Sequence, residues 1–115
     1  MSEDFRELVE AIRSSTRILV VLGAGLSRPS GLPTFREDHA FWGRPIEEIA
    51  TKTAFDKDPL GVWELYERMR QITLDAQANL GHVAIAELAR AKPDLLTISQ
   101  NIDGTQNALS TVDSV

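Results

Sequence analysis

The most restrictive feature of this sequence is a short aliphatic run, residues 18–22, that ends directly in Gly23-Ala24-Gly25. An uninterrupted run of aliphatic and β-branched residues is typical of a strand that is covered on both faces. A second such run occupies residues 95–98, and helical patterns lie between the two. Because a long helical connection joins strands in parallel, the sequence predicts an α/β fold with about two parallel strands and flanking helices.

Three amphipathic helices are predicted around these strands. Residues 2–13 carry apolar side chains at the helical spacing, and the Ser at the start of this segment can cap it. Asp58, which precedes a proline, begins a second helix that continues towards Ala76. Asn79 caps a third helix, which ends before Pro93.

The remaining segments carry loop signals. Residues 28–57 are interrupted by Pro and Gly, so we predict that they are mostly irregular, with a short helix around residues 46–52. Residues 105–115 have no clear period and are interpreted as a divergent tail. Residues 1–115 are therefore expected to form one domain.

Composition excludes several classes of function. The net charge is −5, so we expect neither nucleic acid nor a membrane surface as a partner. There is no Cys, which excludes disulfides, thiolate metal sites and a Cys nucleophile, and His39 and His82 lack the spacing of metal ligands. The acidic N-terminus does not resemble a targeting peptide. We expect the cytoplasm or nucleus, with the mitochondrion as a further option.

Gly23-Ala24-Gly25 is the first candidate ligand-binding element. Without a Cβ, Gly lets backbone amides approach a ligand at the end of a strand, although the same pattern also makes an ordinary tight turn. A dehydrogenase would need a helix straight after the glycines and an acidic residue after a second strand. Here Pro29-Ser30-Gly31-Leu32-Pro33 follows, and Glu47 and Glu48 follow no strand-like run, so we reject the dehydrogenase interpretation.

Two further segments can contact a ligand. In residues 31–36, Arg36 can bind a ribose or phosphate and Phe35 can cover a reactive carbon; alternatively, Phe35 fills a core gap and Arg36 pairs with a neighbouring acid. Residues 100–103 follow the second strand, at the edge where parallel sheets bind ligands. Asn101 and Asp103 can hold a carboxamide there, or they form an Asx turn.

These segments occur together in a fixed order. Gly-Ala-Gly-x-Ser at residues 23–27, Ser-Gly-Leu-Pro-Thr-Phe-Arg at 30–36, Asn-Leu-Gly-His at 79–82 and Gln-Asn-Ile-Asp-Gly at 100–104 resemble the sirtuin family of NAD-dependent protein-lysine deacylases. The resemblance covers residues 17–104. It implies a partial Rossmann-like NAD-binding unit that acts on an acylated lysine of a protein substrate, with the family's zinc module absent.

The resemblance also implies which residues bind NAD. The phosphate and ribose region would be lined by the glycine turn and its Ser, a mobile loop would carry Thr34 to Arg36, and the segment after the second strand would form the nicotinamide pocket. His82 would be structural and remote from this pocket. The implied cofactor-binding residues are Gly23, Ala24, Gly25, Ser27, Thr34, Phe35, Arg36, Trp42, Gln100, Asn101, Ile102 and Asp103.

Among sirtuins, the resemblance is nearest to the class that removes succinyl, malonyl or glutaryl groups. That class has Thr at the position of Thr34, and a Tyr followed three residues later by Arg. Tyr66 matches the Tyr, but Met69 stands at the Arg position and Arg70 is one residue further on. Because successive helical residues are about 100° apart around the axis, Arg70 would approach an acyl carboxylate from another angle. We assign the acyl pocket to Tyr66, Met69 and Arg70.

One catalytic group of the family has no counterpart here. In sirtuins the segment after Gln-Asn-Ile-Asp-Gly leads to a His that acts as general base, whereas residues 105–115 contain no His. We therefore expect this chain to bind NAD through an N-terminal half-site and to lack deacylase activity by itself. The alternatives are a non-catalytic NAD- or ADP-ribose-binding fragment, an interaction fragment whose sheet edge is covered by another chain, and the product of an incomplete gene model.

Overall fold

The computed structural model describes residues 2–34 and 37–105, apart from the side chain of His39. Within these residues, β1 (Arg17–Leu22) and β2 (Asp94–Ser99) form a parallel two-stranded sheet. The register pairs Arg17 with Asp94 and Leu22 with Ser99, so both strands end at the same level. The two predicted strands, their parallel pairing and the α/β fold class are confirmed.

Helices fill most of the connection between the strands. In chain order, the helices of the described residues are α1 (Glu3–Ser14), α2 (Ala24–Ser27), α3 (His39–Trp42), α4 (Ile46–Ile49), α5 (Lys52–Lys57), α6 (Pro59–Asp75) and α7 (Leu80–Ala91), with a 3-10 turn at Arg28–Ser30.

The starts of the two long central helices follow from their capping residues. The carboxylate of Asp58 accepts the backbone N–H of Gly61 at 3.0 Å, and Pro59 occupies the first helical position of α6. The side chain of Asn79 accepts the backbone N–H of Gly81 at 2.8 Å and so begins α7. Both predicted caps are confirmed, whereas the hydroxyl of Ser2 makes no capping bond to a described residue.

Residues 28–57 are more helical than predicted. The short helix expected around residues 46–52 is present but ends early: α4 ends at Ile49, and a new helix, α5, begins at Lys52. The reason is Thr51, whose extended backbone breaks the helix while its hydroxyl accepts the N–H of Ala54 at 3.1 Å.

The two faces of the sheet differ in exposure. Ile18 and Val20 are half-buried, but Leu19 and Val21 on the other face are 59% and 58% exposed. The prediction that the first strand is covered on both faces is therefore wrong for the described residues. Their buried apolar side chains lie mainly near the carboxyl ends of the strands and in the helical connection: Leu22, Leu32, Trp42 and Ile49. No helix in the described part of the chain is long and apolar enough to cross a membrane.

Candidate functional site

The carboxyl ends of β1 and β2 bring the two candidate binding segments together. The backbone N–H of Gln100 donates to the carbonyl of Leu22 at 3.1 Å, which extends the sheet ladder beyond β2. One residue later, the side-chain amide of Asn101 donates to the carbonyl of Gly23 at 2.9 Å. The glycine turn and the segment after β2 therefore open on the same side, as the parallel arrangement predicts.

The glycine turn leaves open space above its backbone. Gly23 has an extended conformation that any residue can adopt, and a Cβ placed there would meet no atom of the described residues within 4 Å. Neither backbone geometry nor packing against the described protein therefore requires Gly at this position. The open space leaves room for a ligand to approach this backbone closely.

The segment that follows the glycines contains one helical turn that the sequence interpretation did not include. α2 spans four residues, and the chain then tightens into a 3-10 turn that ends at Gly31, whose φ of 92° favours Gly. This turn is too short for the helix of a dehydrogenase, and Glu47 and Glu48 lie in α4 rather than after a strand. The dehydrogenase interpretation therefore remains rejected, although a short helix does follow Gly23.

A hydrogen bond between Ser27 and Asp103 joins the glycine turn to the loop after β2. The hydroxyl of Ser27, which is 2% exposed, donates to Asp103 Oδ2 at 2.7 Å. The amide of Asn101 approaches the same hydroxyl at 3.4 Å. Asp103 Oδ1 accepts the backbone N–H of Thr105 at 2.9 Å, which is an Asx turn closed through Gly104. The Asx-turn interpretation is therefore confirmed, with the carboxylate of Asp103 as the acceptor.

His82 is closer to this site than expected. Its ring is 2% exposed, and Nδ1 accepts the backbone N–H of Asn79 at 3.0 Å, as a structural role predicts. Its Nε2, however, lies 2.9 Å from the hydroxyl of Thr105, which itself donates to Asp103 Oδ1 at 2.5 Å. The prediction that His82 is remote from the pocket is therefore wrong, because the loop after β2 folds back onto the start of α7.

The environment of Asp103 favours its anion. Partial burial alone raises the pKa of the carboxyl, but hydrogen bonds from Thr105 and Ser27 outweigh burial and leave the pKa below its ordinary value. A general base is most effective when its pKa lies near the working pH. Asp103 is therefore suited to accept hydrogen bonds and poorly suited to abstract a proton.

The segment after the 3-10 turn is held by Asp38. Asp38 Oδ2 accepts the backbone N–H of Thr34 at 2.6 Å and its hydroxyl at 2.9 Å, and these bonds from Thr34 lower the pKa of the carboxyl. Arg28 reaches Glu37 at 2.8 Å and Asp38 at 3.3 Å. The indole N–H of Trp42 donates to the carbonyl of Thr34 at 2.9 Å. The predicted contacts of Phe35 and Arg36 lie outside the described residues.

A cavity of about 390 Å³ connects the strand ends with α6. It brings most of the predicted cofactor residues together with the three predicted acyl-pocket residues. Gly25 and Thr34 are not among its described lining residues, and Ile102 contributes a side chain that is 95% exposed. The described lining consists of Gly23, Ala24, Ser27, Leu32, Pro33, Trp42, Tyr66, Met69, Arg70, Thr73, Gln100, Asn101, Ile102 and Asp103.

One lining residue of α6 was missed by the sequence interpretation. Thr73 lies four residues after Met69 and donates its hydroxyl to the carbonyl of that residue at 2.9 Å. Extending the helical period from Tyr66 through Met69 would have found it. Arg70 forms a salt bridge within its own helix, in which its Nε donates to Glu67 at 3.0 Å. More than half of each of the two side chains is exposed.

A larger hollow of about 710 Å³ lies between α4, α5 and α6. Its described lining carries charges of both signs, from Arg44 and Lys57 to Glu47 and Asp58, and includes neither the glycine turn nor the segment after β2. Size alone would favour this hollow as the binding site. We favour the smaller cavity, because only there do two strand ends and an ionised carboxylate converge.

The fold is a Rossmann-like α/β unit with a cavity at the carboxyl ends of its strands. Residues 23–111 match the Sir2 family. NAD-dependent protein deacylase 1 of Caldanaerobacter subterraneus subsp. tengcongensis is 40% identical over 106 residues, covering 91% of this chain and 44% of the relative. The mitochondrial NAD-dependent protein deacylase sirtuin-5 of Canis lupus familiaris is 38% identical over 117 residues, covering 92% and 37%.

Solved structures agree with these sequence relatives. The crystal structure of a Sir2 homologue–NAD complex superposes with a TM-score of 0.79 at 38% identity, covering 90% of this chain and 41% of that one. The chain belongs to the Sir2 family, and the sirtuin resemblance is confirmed. It spans less than half the length of these relatives.

Proposed function

We propose that this chain forms the nicotinamide-side half of an NAD site of a Sir2-family protein-lysine deacylase. The observation that carries the proposal is the junction of the Gly23 turn with Asn101 and Asp103 beside a cavity of about 390 Å³. This volume lies within the range of roughly 300–1,000 Å³ that is usual for small-molecule sites. The Sir2 homologue in the NAD complex matches 90% of this chain.

The proposed contacts follow the chemistry of each segment. The backbone at Gly23, Ala24 and Gly25, with Ser27, would face the phosphates and ribose of NAD, because the open space above Gly23 admits a close ligand. The nicotinamide carboxamide would lie against residues 100–103, where an amide and a carboxylate offer both kinds of hydrogen-bonding group. Residues 34–36 and Trp42 would border the cofactor from the opposite loop. Bound NAD would supply the ADP-ribose that accepts the acyl group.

The proposed substrate is the acylated lysine of a protein. Tyr66, Met69 and Arg70 lie on the α6 side of the same cavity, so an acyl group that reached the nicotinamide would pass along this wall. Met69 offers apolar surface, and Arg70 offers a cation that is shared with Glu67. This wall is compatible with several acyl groups and does not by itself select a negatively charged one.

We expect binding without turnover for this chain by itself. None of the described residues that line the cavity is a His, and the low pKa of Asp103 makes this carboxylate a weak base at neutral pH. NAD-dependent removal of an acyl group from a lysine peptide by the pure chain would contradict this part of the proposal.

The binding proposal is tested by calorimetric titration with NAD, using two glycine variants. Gly23→Ala adds one methyl group in the open space at the cavity, where it should leave the fold unchanged and weaken NAD binding at least tenfold. Gly31→Ala is the matched control: its φ of 92° makes any side chain costly, by about 1 kcal/mol, at a position outside the described lining of the cavity. It should lower stability while leaving the affinity of the folded fraction unchanged.

The two variants separate a ligand site from a structural turn. If Gly23→Ala binds NAD as tightly as the unchanged chain, the glycine turn does not approach the cofactor and the proposed site is wrong. If both variants lose stability and binding in parallel, Gly23 serves the fold rather than the ligand, which also contradicts the proposal.

A second candidate function is an interaction fragment. Leu19, Val21, Leu96 and Ile98 form an exposed apolar sheet face in the described structure, and parallel sheets are normally covered on both sides. Another protein chain would be the partner of this face. Sedimentation analysis of the pure chain tests it: a concentration-dependent assembly that Leu19→Lys abolishes would support this function, and a monomer over the whole concentration range would contradict self-association.

We propose the cytoplasm or the nucleus as the compartment of this protein. The name of the canine relative makes the mitochondrion the competing compartment. Imaging of the tagged native protein decides between them, and a mitochondrial signal would overturn our assignment.

A further inference from the structure

A buried polar connection runs from the start of α7 to the floor of the cavity. It consists of the backbone N–H of Asn79, the ring of His82, the hydroxyl of Thr105 and the carboxylate of Asp103. His82 is 2% exposed and Thr105 is 5% exposed, so water does not compete freely for these groups. We call this set the His82–Thr105 bridge.

The direction of the hydrogen bonds in the bridge follows from its first member. The backbone N–H of Asn79 can only donate, so Nδ1 of His82 must accept and carries no proton. A neutral ring then holds its proton on Nε2, which donates to Thr105 Oγ1. The hydroxyl proton of Thr105 is thereby left to donate to Asp103 Oδ1, at 2.5 Å. Every donor in the bridge points towards the carboxylate.

The bridge uses one oxygen of Asp103 and leaves part of the other available. Oδ1 accepts both the backbone N–H and the hydroxyl of Thr105, so two donors occupy it from behind. Oδ2 accepts the hydroxyl of Ser27 at 2.7 Å. Because each carboxylate oxygen accepts about two hydrogen bonds, Oδ2 keeps one acceptor position, and Asp103 lines the cavity.

We propose that His82 and Thr105 are positioning residues, which fix the rotation of the Asp103 carboxylate so that Oδ2 faces a ligand amide in the cavity. The inference rests on the proposed function, since the amide in question is the carboxamide of nicotinamide. Neither residue touches the ligand. Their effect is to hold the acceptor in one orientation before the ligand arrives, which removes an ordering cost from binding.

Thr105 provides the sharpest test, because one substitution removes its hydroxyl and another keeps it. Thr105→Val keeps the shape and removes the donor to Asp103, whereas Thr105→Ser keeps the donor. The first measurement needs no ligand: the Asp103 carboxyl is titrated by NMR in the pure chain. The Thr105 hydroxyl lowers the pKa of Asp103, so Thr105→Val should raise this pKa towards the ordinary Asp value of about 3.9 and Thr105→Ser should not.

The second measurement is calorimetric titration with nicotinamide. Thr105→Val should bind roughly tenfold more weakly than the unchanged chain, and Thr105→Ser should bind as the unchanged chain does. Equal affinities for Thr105→Val and Thr105→Ser would overturn the inference. If the unchanged chain binds no nicotinamide, the proposed function is wrong, and the Asp103 titration alone decides whether the bridge positions this carboxylate.

His82 is tested by a second pair that allows for its role in capping α7. His82→Ala removes the acceptor for Asn79 and the donor to Thr105, and should weaken nicotinamide binding and destabilise the helix start. Gln carries an acceptor and a donor on one side chain and is favoured at this position of a capping box. His82→Gln should therefore restore both binding and the Asp103 pKa. Restored stability without a restored pKa would show that His82 acts only as a cap, and would overturn its positioning role.

Discussion

The two walls of the cavity are built in different ways. The loop wall, formed by Gly23, Ser27, Asn101 and Asp103, is held by hydrogen bonds between segments that are more than 70 residues apart. The helix wall, formed by Tyr66, Met69, Arg70 and Thr73, belongs entirely to α6. On this wall, Arg70 donates to Glu67 and Thr73 donates to the carbonyl of Met69, so these hydrogen bonds connect residues of one helix that are three or four positions apart.

This difference separates the two parts of the proposed function. The loop wall exists only when the whole α/β unit is folded, because its partners meet only across the parallel sheet. The helix wall can change its side chains without changing the fold, because α6 is held by its caps and by apolar contacts. We therefore expect cofactor binding and stability to be coupled at the loop wall, and acyl preference and stability to be independent at the helix wall.

The largest effect is expected from Asp103→Ala. This substitution leaves the hydroxyl of buried Ser27, and both the N–H and the hydroxyl of Thr105, without their acceptor. We expect the free energy of unfolding to fall by about 2–3 kcal/mol in urea denaturation, together with loss of nicotinamide binding.

The control for this prediction is Asp56→Ala, which removes the exposed pair with Lys52 one turn away in the same helix. Such a surface pair contributes little, so stability should change by less than about 0.5 kcal/mol. Equal effects of the two substitutions would show that the loop wall is not the tertiary junction described above.

An intermediate effect is expected from acidification. The pKa of Asp103 in the folded chain is lowered, while the unfolded chain should titrate near pH 3.9. The stability contributed by this group is therefore fully present above about pH 5 and is lost as the pH falls through the folded pKa. Urea denaturation between about pH 6 and 3 should show this loss, and Asp103→Asn should reduce it.

Glu67, which pairs with Arg70 of the helix wall, supplies the comparison. Its pKa is also lowered, mainly by the hydrogen bond from Arg70, but the pair is exposed and screened by solvent. Glu67→Gln should therefore leave the pH profile nearly unchanged. A larger change for Glu67→Gln than for Asp103→Asn would reverse the proposed ranking of the two walls.

The walls also differ in what could be predicted from sequence. For the helix wall, the Asp58 cap predicted the start of α6, and the sirtuin resemblance supplied Tyr66, Met69 and Arg70. The helical period from these residues would also have identified Thr73. For the loop wall, the aliphatic run and the glycines predicted where a site must lie, because parallel strands end at the same edge. The Sir2 resemblance identified residues 23–27 and 100–104 as the segments of this site, and in the structure these two segments are joined by hydrogen bonds.

The role of Thr105 was not predictable in this way. Its partner His82 lies 23 residues earlier, and no local period links the two positions. From the sequence, Thr105 was interpreted as part of a divergent tail, and His82 as structural and remote from the pocket. Only the positive φ of Gly104, at 72°, turns the chain so that Thr105 reaches the start of α7. A contact that depends on one backbone turn and two distant segments is visible only in the folded chain.

The smallest effect on stability is expected from Arg70→Ala. This substitution removes an exposed pair with Glu67, so the free energy of unfolding should change by less than about 0.5 kcal/mol and nicotinamide binding should persist. The affinity for a succinyl-lysine peptide should fall, because Arg70 is the cation of the helix wall that lines the cavity.

Met69→Arg is the complementary variant. It places a cation three residues after Tyr66 and should strengthen binding of the succinyl-lysine peptide relative to an acetyl-lysine peptide. If neither substitution alters the ratio of the two affinities, measured by fluorescence anisotropy, α6 does not form the acyl side of the cavity.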